Sequence, residues 1–143
     1  MTAASFDPRA ALAAKIAMDR DDYLLSCMVS IATCRHPRTL AQAYQFVVGA
    51  SWRYRSSASR TDVERTLAVH EGMGWCGSIR IRGRALRWLD VRDMKRRPRK
   101  GAARRAWEEA ADRRKAIHAM LRSWSREERE DFYRRGYKQV GAP

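Results

Sequence analysis

Apolar positions recur along the chain first at a helical period and later at an alternating one. Tyr23, Leu24, Cys27, Met28, Ile31 and Ala32 fall at helical spacing, which predicts a helix with these side chains toward a core. A weaker stripe precedes it: Ala10, Leu12, Ala13, Ile16 and Ala17. That stripe follows Asp7-Pro8, an N-cap side chain with proline at the first helical position. The acidic knot Asp19-Arg20-Asp21-Asp22 separates the two stripes, so a new helix is expected to begin there with acids at its positive end. Arg35-His36-Pro37 closes it, because the residue before proline leaves the α region. Thr39 caps a stretch in which Leu40, Ala43, Tyr44, Phe46, Val47 and Val48 form a wide stripe, the mark of a well-buried helix. Beyond Gly49 and a polar turn at Ser56–Ser59, a third helix is expected over Thr61–Met73. Thr61-Asp62-Val63-Glu64 matches the capping box, with Ser59 as the other candidate cap. Val63, Leu67 and either Val69 or Met73 point inward, Arg60, Glu64, Arg65, His70 and Glu71 are left for the other sides, and Gly72 and Gly74 stop the helix.

The period then changes. Apolar and basic residues alternate in Ile79–Arg82 and again in Leu86–Trp88, around the turn Arg82-Gly83-Arg84, as in a half-buried hairpin. Past Pro98 and Gly101 a long helix is predicted from Ala102 to Ser123, with Ala103, Trp107, Ala110, Ala111, Ile117 and Leu121 as its stripe. Ser125-Arg126-Glu127-Glu128 matches the capping box of a last helix anchored by Phe132, Tyr133 and Tyr137 and ended near Gly136. The fold class is therefore mainly α with a small β-hairpin. Residues 1–94 read as a helical, winged-helix-like domain, 95–101 as a basic linker and 102–143 as a C-terminal helical extension.

Composition adds a core and a field. The chain has 143 residues, 45% of them apolar, enough for one packed domain and unlike a disordered chain. Its formal charge is +14, unevenly spread. Residues 1–74 hold 9 Lys/Arg against 7 Asp/Glu, whereas residues 75–143 hold 21 against 9. Lys95, Arg96, Arg97, Arg99, Lys100, Arg104 and Arg105 put seven bases into eleven residues without an acid. Such a run self-repels unless something neutralises it, and a polyanion does so with release of counterions. Arginine, which predominates, forks onto phosphate and guanine edges. A solvated basic surface is the other reading of the same charge.

Other classes find less support. Cys27, Cys34 and Cys76 are odd in number and contain no CxxC pair, so neither a zinc site nor a disulfide framework is indicated. Reduced thiols in the cytoplasm are expected. No apolar run approaches the ~20 residues that span a bilayer, and the N-terminus has no basic-then-apolar leader. His36, His70 and His118 are dispersed, and no metalloprotease, nucleophile-elbow, phosphate-loop or dinucleotide motif is present. Asp19, Asp21 and Asp22 suit a helix start. No enzyme, cofactor or metal is expected. Trp52 and Tyr54, flanked by Arg53 and Arg55, are the best candidates for stacking on bases; the remaining tryptophans fall on apolar faces.

The order helix, helix, helix with a Gly74-Trp75 ending, then hairpin, resembles a winged helix-turn-helix domain over residues 22–91, with Val63 and Leu67 in the pattern of the recognition helix. The resemblance implies that Arg60, Thr61, Arg65 and His70 approach base edges, and that Arg80, Arg82, Arg84 and Arg87 of the wing reach phosphate or a minor groove. A generic helical domain with a hairpin excursion is the other architecture open to this sequence. The expected function is non-catalytic DNA binding, in transcriptional control, with DNA favoured over RNA and no membrane partner. RNA or ribonucleoprotein binding, and a small inhibitor or adaptor docking on a nucleic-acid enzyme, are the alternatives. The C-terminal helices are expected either to fold back on the domain or to pair two copies of the chain.

Overall fold

The computed structural model describes residues 6–54, 58–80, 83–92, 94 and 98–141; the side chains of 51–54 and 136–141 lie outside that description. Helix α1 runs over Pro8–Thr33, strand β1 over Arg38–Thr39, α2 over Leu40–Tyr54 and α3 over Arg60–Gly72. Strands β2 (Cys76–Ile79) and β3 (Arg87–Asp90) form the hairpin, and α4 (Gly101–Ser123) and α5 (Arg126–Gly141) complete the chain. The protein is mainly α with a small antiparallel sheet of order β1-β3-β2.

Local chemistry sets most of the helix ends. Asp7 accepts from the amides of Arg9 and Ala10, ahead of Pro8. Asp22 leaves helical geometry (φ −158°, ψ 78°) and accepts from the Leu25 amide, so α1 is two helices joined at a kink, the second capped by the acidic knot. Thr39 and Gln42 cap α2 reciprocally, and Ser125 and Glu128 do so for α5. For α3 the expected Thr61–Glu64 box gives way to Ser59 and Asp62, whose side chain and amide exchange two bonds of 3.0 and 3.1 Å. Those bonds hold the Asp62 carboxyl below its ordinary range.

The C-terminus of α3 is closed by a Schellman turn. The Trp75 amide donates to the His70 carbonyl (2.9 Å) and the Gly74 amide to that of Glu71 (3.0 Å). Gly74 stands at φ +74°, open to glycine at little cost. The last helix passes through Gly136, the expected stop, and ends at Gly141; a lone glycine costs a helix only ~1 kcal/mol relative to alanine.

The apolar residues gather into two clusters. The back half of α1 (Leu25, Met28, Val29, Ala32) meets Ala43 and Val47 of α2 and Val63 and Leu67 of α3, with Trp88 packed against them. The front half of α1 (Leu12, Ile16) meets Met73, Ile117 of α4 and Phe132 of α5, with Trp75, Leu121 and Trp124 at the margin. The C-terminal helices thus bury apolar residues within the chain. Several expected core residues stay outside. Tyr23 and Ile31 of α1 are exposed, as are Phe46 and Val48 of α2 and Tyr133 of α5. Each helix buries only the arc that meets its neighbours, and a stripe wider than that arc leaves its edges in solvent.

Candidate nucleic-acid interface

The sheet lies between α3 and α4, and its alternation assigns the faces. On one side the Cys76 thiol points at the Leu67 carbonyl (3.8 Å), while Ser78 Oγ and Trp88 Nε1 both donate to the Glu71 carboxylate of α3 (3.1 and 3.2 Å). Burial, with Glu71 and Asp90 nearby, pushes the Cys76 thiol far up, so it stays a protonated core group. Gly77 and Ile79 alternate to the other side, and Arg87, which pairs with Ile79, shares it.

Small residues let α4 lie on that second side. A Cβ on Gly77 would stand 2.7 Å from that of Ala106, and one on Gly74 would stand 2.3 Å from the Ala110 carbonyl oxygen. The Arg114 guanidinium donates to the Gly74 carbonyl. As the chain advances from Gly74 to Gly77 in β2, its contact therefore moves back along α4 from Ala110 to Ala106, so α4 runs antiparallel to this stretch. Continuing in that direction, the start of α4 lies toward the end of the hairpin that holds Ile79, Arg80, Arg84 and Arg87.

That end of the molecule is cationic. Arg80, Arg84, Arg99, Lys100 and Arg105 are exposed and Arg87 is half-buried. None of these six forms an ion pair with a described residue, whereas Arg104 pairs with Glu108 (2.9 Å) and donates to the Arg99 carbonyl (2.7 Å). Lys100 stands at the N-cap of α4 without a side-chain cap, and the first turn carries no acid. The positive end of the helix dipole thus adds to the charge of the side chains. Gly101, at φ +83°, makes the turn from the basic run into the helix. β1 brings one more base that sequence reasoning passed over: Arg38 pairs with Trp88 at the sheet edge. A two-residue strand carries no periodicity by which to find it.

Arg60 and Arg65 stand on the exposed side of α3 with Thr61, Glu64 and Ala68. Arg65 is 4.0 Å from Asp62, and Arg60 has no ion-pair partner among the described residues. Arg82, Lys95, Arg96 and Arg97 lie outside the described residues, as do the side chains of Trp52 and Tyr54.

His70 is the clear correction. It does not reach toward a groove; it is 2% exposed. Its Nε2 lies 2.8 Å from Ser26 Oγ and its ring packs on Trp75 at 5.5 Å. Burial, reinforced by Arg92 and Lys15 and opposed by Asp90 and Asp19, lowers its pKa to about 4, so the ring is neutral near pH 7. His70 falls i+7 from Val63 and i+3 from Leu67, on the buried face; its polar identity masked a spacing that was already there. Other bases are likewise engaged inside the fold. Arg92 binds Asp90 (2.7 Å) and Ser30 (3.0 Å) and covers Trp75, and Arg9 lies over Trp124 and Phe132.

Among the described residues no cluster of His, Cys, Asp or Glu is arranged to hold a metal ion, and no helix is long and apolar enough to cross a membrane. Comparison with protein families, with curated proteins and with solved structures finds no match for this chain.

Proposed function

We propose that the chain is a non-catalytic nucleic-acid-binding protein that takes duplex DNA in preference to RNA, with α3 and the hairpin acting as in winged helix-turn-helix domains. The observation that carries the reading is the group of bases, without ion-pair partners among the described residues, at the far end of the hairpin and the start of α4. Two segments distant in sequence bring Arg80, Arg84 and Arg87 toward Arg99, Lys100 and Arg105, and among the described residues no carboxylate pairs with them. Unpaired arginines that share one end of a protein build a local field, which concentrates phosphate and speeds encounter. The order of three helices and a hairpin supports the winged reading. So does the exposed side of α3, where Thr61 and Ala68 leave room beside Arg60 and Arg65. Bases at the hairpin and α4 supply affinity; α3 supplies sequence preference. A protein with that division of labour suits transcriptional control in the cytoplasm, where its three thiols stay reduced.

The test is a mobility shift with purified full chain on duplex DNA, single strands and structured RNA at two salt concentrations. Duplex DNA should bind tightest and lose affinity steeply with salt. Tighter binding to RNA under equal conditions replaces DNA by RNA as the partner, and binding to none of the three refutes the proposal.

A further inference from the structure

The back half of α1 carries an apolar stripe that faces away from the core. Tyr23 is 63% exposed and Ile31 60%, with half-buried Cys27 between them. The three stand at i, i+4 and i+8, so they share one side of the helix. Tyr23 and Cys27, and Cys27 and Ile31, each stand one helical turn apart, so the three follow one another along the stripe. Single exposed apolar side chains are ordinary; two large ones on either side of a third form a patch, and a patch marks an interaction surface.

The two ends of this stripe carry opposite charge. At its front stand Asp19, Asp21 and Asp22, which keep an acidic excess although Lys15 pairs with Asp19 and Arg20 with Asp21. At its back Arg35 and His36 are exposed, and Arg38 follows. The middle is apolar and nearly symmetric about Cys27, with Tyr23 four residues before it and Ile31 four after. A surface acidic at one end, basic at the other and apolar between is complementary to itself turned end for end. Two-fold dimers require that self-complementarity.

We propose that this face is the interface of a two-fold dimer, in which two copies of α1 pack antiparallel about Cys27. Tyr23 of each copy then meets Ile31 of the other, and each acidic end meets the other copy's Arg35. The C-terminal helices have already spent Ile117 and Phe132 inside the chain, whereas Tyr23 and Ile31 of the α1 stripe stay exposed. The inference does not depend on the nucleic-acid reading and is tested without nucleic acid.

Sedimentation equilibrium of the full chain over rising protein concentration should show a monomer–dimer equilibrium. Ile31→Glu should weaken it about tenfold or more. Adding Tyr23→Lys to Ile31→Glu should restore it, because acid and base then face each other twice across the axis. A short bismaleimide should link two chains of the Cys34→Ser variant and fail with Cys27→Ser; Cys76 is buried and does not compete. Both apolar substitutions are at exposed sites, and circular dichroism checks that the helices persist. A chain that stays monomeric at every concentration overturns the proposal. So does a dimer indifferent to Ile31→Glu, whose interface then lies elsewhere, such as on α5, or one that the second substitution fails to restore.

Discussion

The salt dependence of binding tests where the affinity resides. Arg80 and Arg84 at the hairpin and Arg105 at the start of α4 are exposed, with no ion-pair partner among the described residues. Each phosphate contact contributes about −0.9 to the slope of log K against log salt on duplex DNA. Replacing the three with Gln should therefore make the slope shallower by roughly 2.7, and over a fourfold rise in salt the variant should lose roughly forty-fold less affinity than the parent. The control removes the same charge elsewhere. Arg126 is paired with Glu130, and Arg134 and Arg135 with Asp131, all on α5. Changing these three to Gln should alter the slope by less than one, since α5 is not part of the proposed interface, and should leave the fold intact, because exposed pairs of this kind are worth only a few tenths of a kcal/mol. Fluorescence anisotropy on one labelled duplex, titrated at four or more salt concentrations, measures both slopes. Equal shallowing in the two variants would mean that net charge alone drives binding, and would falsify the placement of the interface.

The other predictions concern the frame that holds the interface. His70 is neutral and buried, with its pKa lowered from 6.5 to about 4, so the unfolded chain binds the proton more readily. Its contribution is full above pH 6.5 and is lost as pH falls toward 4. At ~1.36 kcal/mol per tenfold change in proton affinity the loss is about 3 kcal/mol. Urea unfolding across that range should show the parent losing about this much more stability than His70→Gln; parallel curves would sink the assignment. Gly74→Ala meets two obstacles: the left-handed backbone costs ~1–2 kcal/mol, and its Cβ would lie 2.3 Å from the Ala110 carbonyl. A fall in thermal midpoint is expected, with weaker DNA binding in parallel as α4 is pushed from β2, and an unchanged midpoint would contradict the packing. Glu71→Ala strips the acceptor from Trp88 Nε1 and Ser78 Oγ and should cost ~1–3 kcal/mol in denaturant unfolding. Glu71→Gln, which keeps a carbonyl oxygen, should cost less, and equal costs would count against those bonds.

Much of the helical frame was legible because it is local. Asp7-Pro8, Thr39 and Ser125 place oxygen acceptors where the first amides of a helix need them, and Gly74 supplies a left-handed residue at the end of α3. None of these choices waits for the rest of the chain. Where two local patterns competed, as Ser59–Asp62 with Thr61–Glu64, the helix took the one that adds two residues to its front. Burial was legible only in part. Val63, Leu67 and Met28 lie at the centres of their stripes and are buried, while Tyr23, Ile31 and Phe46 lie at the edges and are not.

The sequence by itself determined the helical class, the capped starts and the basic excess of the second half, because propensity, capping and charge belong to residues and their near neighbours. Only the tertiary structure decided which bases have no ion-pair partner among the described residues. Arg9, Arg92 and Arg114 look no different in the sequence from Arg80, Arg84 and Arg105, yet the first three are engaged by aromatic rings, a carboxylate or a carbonyl. Tertiary packing also brought the start of α4 toward the end of the hairpin. That approach depends on Gly77 meeting Ala106 and Gly74 meeting Ala110, contacts across more than twenty residues in which the absence of a side chain is the deciding property. No local period can record it.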